Sequence, residues 1–526
     1  MAIGDLVLKL GMLLVFFGVM VYVGFYCRKH STDVNGFVLG GRSVGPWLTA
    51  FAYGTSYFSA VVFVGYAGQF GWKFGIASTW IGLANAFLGS LLAWAVLGRR
   101  TRIMTQHLQS KTMPQFFESR FDSSALKILA SFIIFIFLIP YTASLYNGLS
   151  RLFAMAFDVD YAVCVIIMAV LTAIYVIAGG YMATAINDFI QGIIMIVGIV
   201  AVIFAVLNGQ GGFMASLKKL AEVPEASGTP GVFNSFFGPD PLSLFGVMIL
   251  TSLGTWGLPQ MVQKFYAIKS EKAINKGMIV STVFACIIAG GCYFLGGFGR
   301  LFGNVIGVTE AGTPVGGFDA VVPAMLSTLS PFLIAIVVIL VLSASMSTLS
   351  SLVLTSSSTL TLDFLKPYVK KDMDEKNQLL IMRVLIAVFI VISAGLAIFQ
   401  ARSGVAFIAQ AMGISWGAMA GAFLAPFLYG LYWKRATKAS CWASMLFSTL
   451  FMTVDMLVNL KVLNLNLGFL ASPINAGAFC MLAGMVIVPL VSVLTRAPEK
   501  GKVEQIFSCY DRKVTVLAKD SIGAGE

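Results

Sequence analysis

The chain has 526 residues, 58% of them hydrophobic and only 11% charged. A single water-soluble core cannot hide that much apolar surface, and about 20 apolar residues are enough to cross a bilayer, so a soluble enzyme and a disordered chain are both excluded. The 35 Lys and Arg against 23 Asp and Glu give a net charge of +12, which in a soluble protein would point to nucleic acid; the placement of these charges gives a different answer.

In chain order, apolar runs bounded by Gly, Pro or charged clusters fall near 6–27, 46–71, 76–97, 126–156, 160–179, 183–208, 242–268, 277–301, 332–361, 379–399, 404–431, 438–459 and 471–495. They predict an all-α integral membrane protein of thirteen transmembrane helices, numbered here spans 1 to 13. Lys and Arg collect in every second connection: Arg28, Lys29 and Arg42; Arg99 to Lys127; Lys264 to Lys276; Lys366 to Arg383; Lys434 to Lys438; and the tail from Arg496 to Lys519. Basic connections stay in the cytoplasm, so the N-terminus is expected outside and the C-terminus inside, as an odd number of spans requires. The bilayer, not nucleic acid, is the partner this pattern implies.

The first run carries Asp5 and Lys9 before it and its basic residues after it, so it reads as a span and not as a signal peptide. Seven scattered Cys read as core filler. His30 and His107 both fall in connections, which leaves no imidazole for a zinc site or a proton relay inside the bundle. The outer connection 209–241 is rich in Gly, Pro, Ser and Glu and predicts a short helix around Ser216–Glu222. The tail 496–526 is too short for a kinase or sensor domain, and nothing points to an obligate protein partner.

Two spans are interrupted where a continuous helix would be easier to build. Span 2 holds Gly54, Thr55, Ser56 and Ser59 inside its apolar run, and span 7 holds Gly254, Gly257 and Pro259. Irregular backbone at membrane depth is tolerated only where protein or a wet cavity satisfies the freed N–H and C=O groups. Spans 2 and 7 are five apart, and paired broken helices in corresponding positions of two halves are the sequence pointer to a transporter's central site.

Carboxylates are scarce inside the runs. Asp188 lies near the cytoplasmic end of span 6, and Asp455, near the outer end of span 12, reads as an interfacial side chain. Span 9 contains SASMSTLSSLVLTSSSTLTLD. Most of these hydroxyls are expected to bond back to the carbonyl one turn earlier. That bonding does not explain why Ala344, Ser347, Thr348 and Ser351 share one stripe, with Ser350 beside them. Neutral hydroxyl and carbonyl oxygens are the hard ligands that a partly dehydrated alkali cation takes; transition metals would need imidazole or thiolate.

GFVLGGRSVGPWLTA leading into span 2, AGGYMATAINDFIQG joining spans 5 and 6, and SASMSTLSS in span 9 together resemble the sodium:solute symporter family, and most closely its bacterial sodium/proline branch. The similarity runs from about 36 to 435. It implies a LeuT-type core of two inverted five-helix repeats at 46–208 and 242–431. An extra N-terminal span and loop at 1–45, the outer connection 209–241, two extra spans at 432–495 and the tail 496–526 complete the chain. It also implies a bacterial plasma membrane location and sodium-driven uptake of a small organic solute by alternating access, with sodium as coupling ion and no organic cofactor.

Carried over residue by residue, the resemblance implies a sodium site of the Thr55 and Phe58 carbonyls, the Ala344 carbonyl and the Ser347 and Thr348 hydroxyls. Asp188, Ser350 and Ser351 match a second sodium site found in some members, although Asn187 stands where Thr is usual. For the solute it implies Ser59, Gly65, Tyr141 and Pro259. Tyr57 replaces the Asp of proline carriers, and Thr251 stands at their substrate-facing Trp with Trp256 displaced toward Pro259, so Tyr57 and Trp256 join the expected pocket. Proline or a related amino acid is the solute expected; a small carboxylate or pantothenate-like acid, and proton in place of sodium coupling, are the alternatives. A membrane-embedded enzyme would need convergent nucleophiles or metal ligands that the runs do not supply.

Overall fold

The computed structural model describes residues 3–30, 32–157, 159–224, 229–310, 312–403 and 408–511. The first residues expected for span 11, 404–407, and the tail residues Arg512, Lys513 and Lys519 lie outside the described residues. Among the described residues the secondary structure is helical, with two isolated bridges, Val44 with Ile268 and Val308 with Pro314.

Span 1 is Ile3–Tyr26 and span 4 is Ser124–Phe157. Spans 10, 11, 12 and 13 are Glu375–Ser403, Ile408–Tyr432, Lys438–Asn459 and Pro473–Leu494. Spans 5 and 6 are the two parts of Tyr161–Gly209, divided at Gly180 by φ +55° and ψ −147°. A Cβ at Gly180 would also meet the Phe37 carbonyl oxygen at 2.8 Å, so the kink needs glycine for both reasons. Span 3 starts at Thr79, and its helix runs on to His107, carrying Arg99, Arg100 and Arg102 on helix instead of loop. Span 8 is Glu271–Gly296, displaced toward the N-terminus from the apolar run because Ser270 caps it through the Ala273 N–H. The outer connection forms its helix at Phe213–Ala221.

Burial separates two layers. In spans 9 and 11, 78% and 94% of the most apolar window is buried inside the protein, against 33% in spans 1 and 12, so the former are central and the latter face lipid. Span 9 packs on spans 4, 5 and 6, and span 11 on spans 4, 7, 12 and 13. Asp455 is not interfacial: it is fully buried in span 12 and accepts a hydrogen bond from Asn459 Nδ2 at 3.2 Å. A charge facing hydrocarbon costs about 3 kcal/mol or more, which is avoided by turning the carboxyl inward to a neutral donor.

Candidate functional site

Span 2 is two half-helices. The first, Pro46–Tyr57, begins with Pro at its first turn and ends at Phe58, which is extended at φ −95° and ψ 116°. The second resumes in the wide turns of Val61–Tyr66 and continues through Ala67–Phe74. Its leading donors are capped by side chains: Val61 N–H donates to Ser59 Oγ at 3.2 Å and Ala60 N–H to Ser345 Oγ at 3.3 Å. Span 7 repeats the pattern as Pro241–Gly257 and Pro259–Ala267, bent by 45° at the break. The carbonyl end of a half-helix carries partial negative charge and the amide end partial positive charge, so both kinds of terminus meet at mid-membrane.

Span 9 crosses the first break. Thr348 Oγ1 lies 3.2 Å from the Thr55 carbonyl oxygen and 3.1 Å from the Ala344 carbonyl oxygen. A hydroxyl has one proton, so three oxygens converge where one donor is available, and Ser347 Oγ beside them is buried with no hydrogen-bond partner among the described residues. Phe58 ends the half-helix in extended backbone, with its ring against Tyr57 and Phe284. Back-bonding accounts for much of the remaining hydroxyl run: Ser350 Oγ donates to Ser347 O at 2.8 Å, and Ser357 and Ser358 donate to carbonyls three residues earlier.

Aromatic rings fill the space between the breaks. Tyr57 packs on Trp416 of span 11 at 5.4 Å between centroids, and Tyr141 of span 4 meets the same indole edge-on at 5.9 Å. Tyr57 OH donates to the Thr251 carbonyl at 2.8 Å, while the Tyr141 hydroxyl and Trp416 Nε1 are buried without a regular hydrogen bond among the described residues. The Tyr141 hydroxyl faces Ser59 and Trp416. An apolar aromatic wall with a few uncommitted polar groups is the kind of lining that suits a small solute. Trp256 is not brought into this cluster; its indole donates to Leu88 O of span 3 at 2.9 Å. Gly65 lies against Ile408 of span 11, and Pro259 opens the second half of span 7 on a narrow inner cleft with Gln263, Tyr266, Thr355 and Thr359.

Asp188, Ser350 and Ser351 do come to one region, and the structure adds a residue the sequence assigned to a loop. Lys264 belongs to the second half of span 7 and is buried, 4.0 Å from Asp188 Oδ2 and hydrogen-bonded to Ser351 Oγ at 3.0 Å. Ser351 Oγ also pairs with Ser56 Oγ at 2.8 Å. Sequence reasoning further missed Trp416, Ser345 and Asn85. Asn85 Oδ1 accepts from Thr251 and Ser252 at 2.8 and 3.0 Å and fixes the start of the second break to span 3. Trp416 carries no signal in an apolar run, whereas Asn85 is a lone amide in such a run and could have been found that way.

The model of the family described as "Sodium:solute symporter family" matches residues 37–448. A sodium/proline symporter of Staphylococcus aureus (strain JH9) is 31% identical over 443 residues, 81% of this chain and 82% of that one. The osmoregulated proline transporter OpuE of Bacillus subtilis (strain 168) is 27% identical over 440 residues, 82% and 84% of the two chains. Among solved structures, a Na+-coupled sialic acid symporter in a substrate-bound outward-open state superposes with TM-score 0.70 at 16% identity over 94% of this chain and 99% of that one. Mhp1, a nucleobase-cation-symport-1 family transporter, superposes with TM-score 0.52 at 12% identity over 89% and 97%. These neighbours have the LeuT fold, which is therefore the fold of this core. With its family signature spread over spans 2 to 12 and the two broken helices facing span 9, this chain belongs to the sodium:solute symporter family.

Proposed function

We propose that this protein is a sodium-coupled secondary symporter that takes up a small organic solute, proline or a related amino acid, by alternating access. The observation that carries the reading is the convergence of the Thr348 hydroxyl with the Thr55 and Ala344 carbonyls at the break of span 2. Sodium entering there replaces the Thr348 proton as the positive partner of both carbonyls and takes Ser347 Oγ, which makes no regular hydrogen bond among the described residues. The ion thereby ties the break of span 2 to span 9. The same break displays Tyr57 and Ser59 to the solute, which links ion occupancy to pocket geometry.

Proline as solute follows from the sodium/proline symporter of S. aureus and the proline transporter of B. subtilis that the chain resembles. The neutral Tyr57, Tyr141 and Trp416 wall suits a zwitterion with an apolar ring. The repeats are assigned to 46–208 and 242–431, in a bacterial plasma membrane with the N-terminus outside and the C-terminus in the cytoplasm, on the basic connections.

Alternating access needs a seal on each side. On the basic face, Arg42 binds the carbonyls of Tyr266 at 3.2 Å and Ser110 at 2.6 Å, tying the entry of span 2 to the end of span 7. Burial, together with the Arg102 charge, lowers the Arg42 guanidinium to about 10, which leaves it charged at neutral pH. Beside it Asp363 accepts from Thr112 and Gln115 at 2.7 and 2.8 Å. On the opposite face, Asp319 accepts the Ile408 N–H at 3.2 Å and pairs with Arg151 at 4.0 Å.

The test is uptake of labelled proline with sodium replaced by choline at fixed pH. Collapse of uptake is expected; uptake that persists and follows an imposed pH gradient would replace sodium by protons. Competition by unlabelled amino acids, small monocarboxylates and pantothenate then identifies the solute class.

A further inference from the structure

We propose that the Lys264 ammonium fills the second cation position of this transporter as a cation tethered to span 7, so that a single sodium ion accompanies each solute. The inference rests on the sodium symport reading above and specifies its ion count.

Three observations carry it. First, Asp188 is fully buried, and neither carboxylate oxygen makes a regular hydrogen bond among the described residues, the Ser347 hydroxyl being the neutral group that faces it. An isolated buried carboxylate is strongly unfavourable, so this one needs a cation. Second, the cation nearest to it is covalently part of the chain: Lys264 Nζ lies 4.0 Å from Asp188 Oδ2, with its side chain only 2% exposed. Third, the ammonium uses the other ligands a second sodium would need. It donates to Ser351 Oγ at 3.0 Å, and that oxygen is shared with Ser56 Oγ at 2.8 Å. Its remaining face lies over the Tyr181 ring at 5.1 Å, while Ser350 Oγ is turned back onto Ser347 O.

A sodium ion among the same oxygens would set two cations against one carboxylate in a dry interior, where like charges at contact distance repel strongly. The ammonium and the ion are therefore alternatives. The tether adds something a free ion lacks: it joins the second half of span 7 to spans 6, 9 and 2 through Asp188, Ser351 and Ser56. Lys264 is thus a specificity-determining residue for ion number.

Equilibrium binding of radioactive sodium to the purified full chain, counted per polypeptide at saturation, tests the proposal. The wild type is expected to hold one sodium, Lys264→Met two, and the double variant Lys264→Met with Asp188→Asn one again. Two ions on the wild type, or no gain in a folded Lys264→Met protein, overturns the assignment. Lys264→Gln, which keeps a donor to Ser351, serves the same count if Lys264→Met does not fold. No sodium on the wild type with one on Lys264→Met would overturn the symport reading while upholding the tethered ammonium.

Discussion

Phe58 and Leu258 occupy corresponding places in the two broken helices. Each is extended, with ψ 116° and 123°, and each sends its N–H back to a glycine carbonyl four residues earlier, Gly54 and Gly254, at 3.2 Å. At the second break Gly254, Gly257 and Pro259 remove the side-chain packing and the donor that would carry the helix on; at the first, which has only Gly54, the Ser59 and Ser345 hydroxyls take the freed N–H groups of Val61 and Ala60. The result is two pairs of opposed half-helix termini, one crossed by span 9 at Thr348 and the other packed on span 11 at Ala420 and Leu424, where an ion and a solute can be held by neutral groups.

The second break depends on how closely span 11 approaches. A Cβ at Gly257 would meet the Leu424 backbone nitrogen at 2.8 Å and Ala420 Cα at 2.9 Å, both atoms of span 11 that cannot rotate away. Gly257→Ala is expected to destabilise the protein by about 1–3 kcal/mol and to abolish transport. A thermal unfolding scan with uptake on the same preparation checks it; wild-type stability would show that span 11 moves aside at no cost.

Thr348→Ala removes one oxygen of the proposed ion site. A lost ligand of this kind costs about 1–3 kcal/mol, so the sodium concentration for half-maximal uptake is expected to rise tenfold or more. Thr348→Ser keeps the oxygen and is expected to stay near wild type. Unchanged sodium dependence in a normally expressed Thr348→Ala protein would place the ion elsewhere.

Tyr141 separates a solute contact from a packing role. Its hydroxyl is buried and has no regular hydrogen bond, so Tyr141→Phe removes no existing bond and is expected to leave stability within about 0.5 kcal/mol. A solute that uses this hydroxyl loses a hydrogen bond worth about 1 kcal/mol, seen as severalfold weaker solute binding with sodium binding unchanged. Equal weakening of both would make Tyr141 part of the wall only. The same comparison for Trp256, which bonds to Leu88 O, is expected to show no solute effect.

How much of this was legible follows from what each residue signals. Of the twelve apolar runs whose starts lie among the described residues, eleven begin within a few residues of a helix or half-helix start, because capping and apolar length both leave a trace in sequence. Span 8 is the exception, since its first turn is polar and only Ser270 announces it. The two breaks were legible from Gly and Pro, and the span 9 stripe from its spacing. Lys264 was not, because it stands five residues before Lys269 and reads as the first of a loop cluster; only the fold turns it onto Asp188. Asp455 misled for the same reason, position near a span end being weaker than a neutral partner one turn away.

The helix Lys500–Phe507 docks on the basic face, where Lys502 pairs with Asp122 at 2.8 Å and the Arg120 guanidinium lies over Phe507 at 5.0 Å. The Lys502 hydrogen bond and charge hold the Asp122 carboxyl below its ordinary 3.8. A carboxyl whose folded value is the lower contributes fully above the ordinary value, and the contribution is lost as pH falls through the lowered one. Both groups are exposed, so the effect is small and screened by salt. Limited proteolysis is expected to cut after this helix more readily below pH of about 4 or at about 1 M salt, and Asp122→Asn to remove the pH dependence. Cleavage indifferent to pH in the wild type would leave the anchoring to Phe507, Tyr510 and the Gln505 carbonyl.

Ion number sets how steeply accumulation follows membrane potential. One inward charge gains about 2.3 kcal/mol per 100 mV, and a tenfold concentration ratio costs about 1.4 kcal/mol. With one sodium per neutral solute, the accumulation ratio at static head therefore rises tenfold for each 59 mV or so; with two it rises about a hundredfold. At 100 mV and a tenfold sodium gradient, one ion supports roughly 500-fold accumulation and two near 10⁵-fold. Because Lys264 neutralises Asp188 without crossing the membrane, the wild type is expected to follow the shallower line, measured in proteoliposomes with potassium diffusion potentials. Lys264→Met, in which sodium alone can compensate Asp188, is expected to move toward the steeper one. A wild type on the steep line would mean that the ammonium leaves Asp188 during the cycle and yields its place to a second ion.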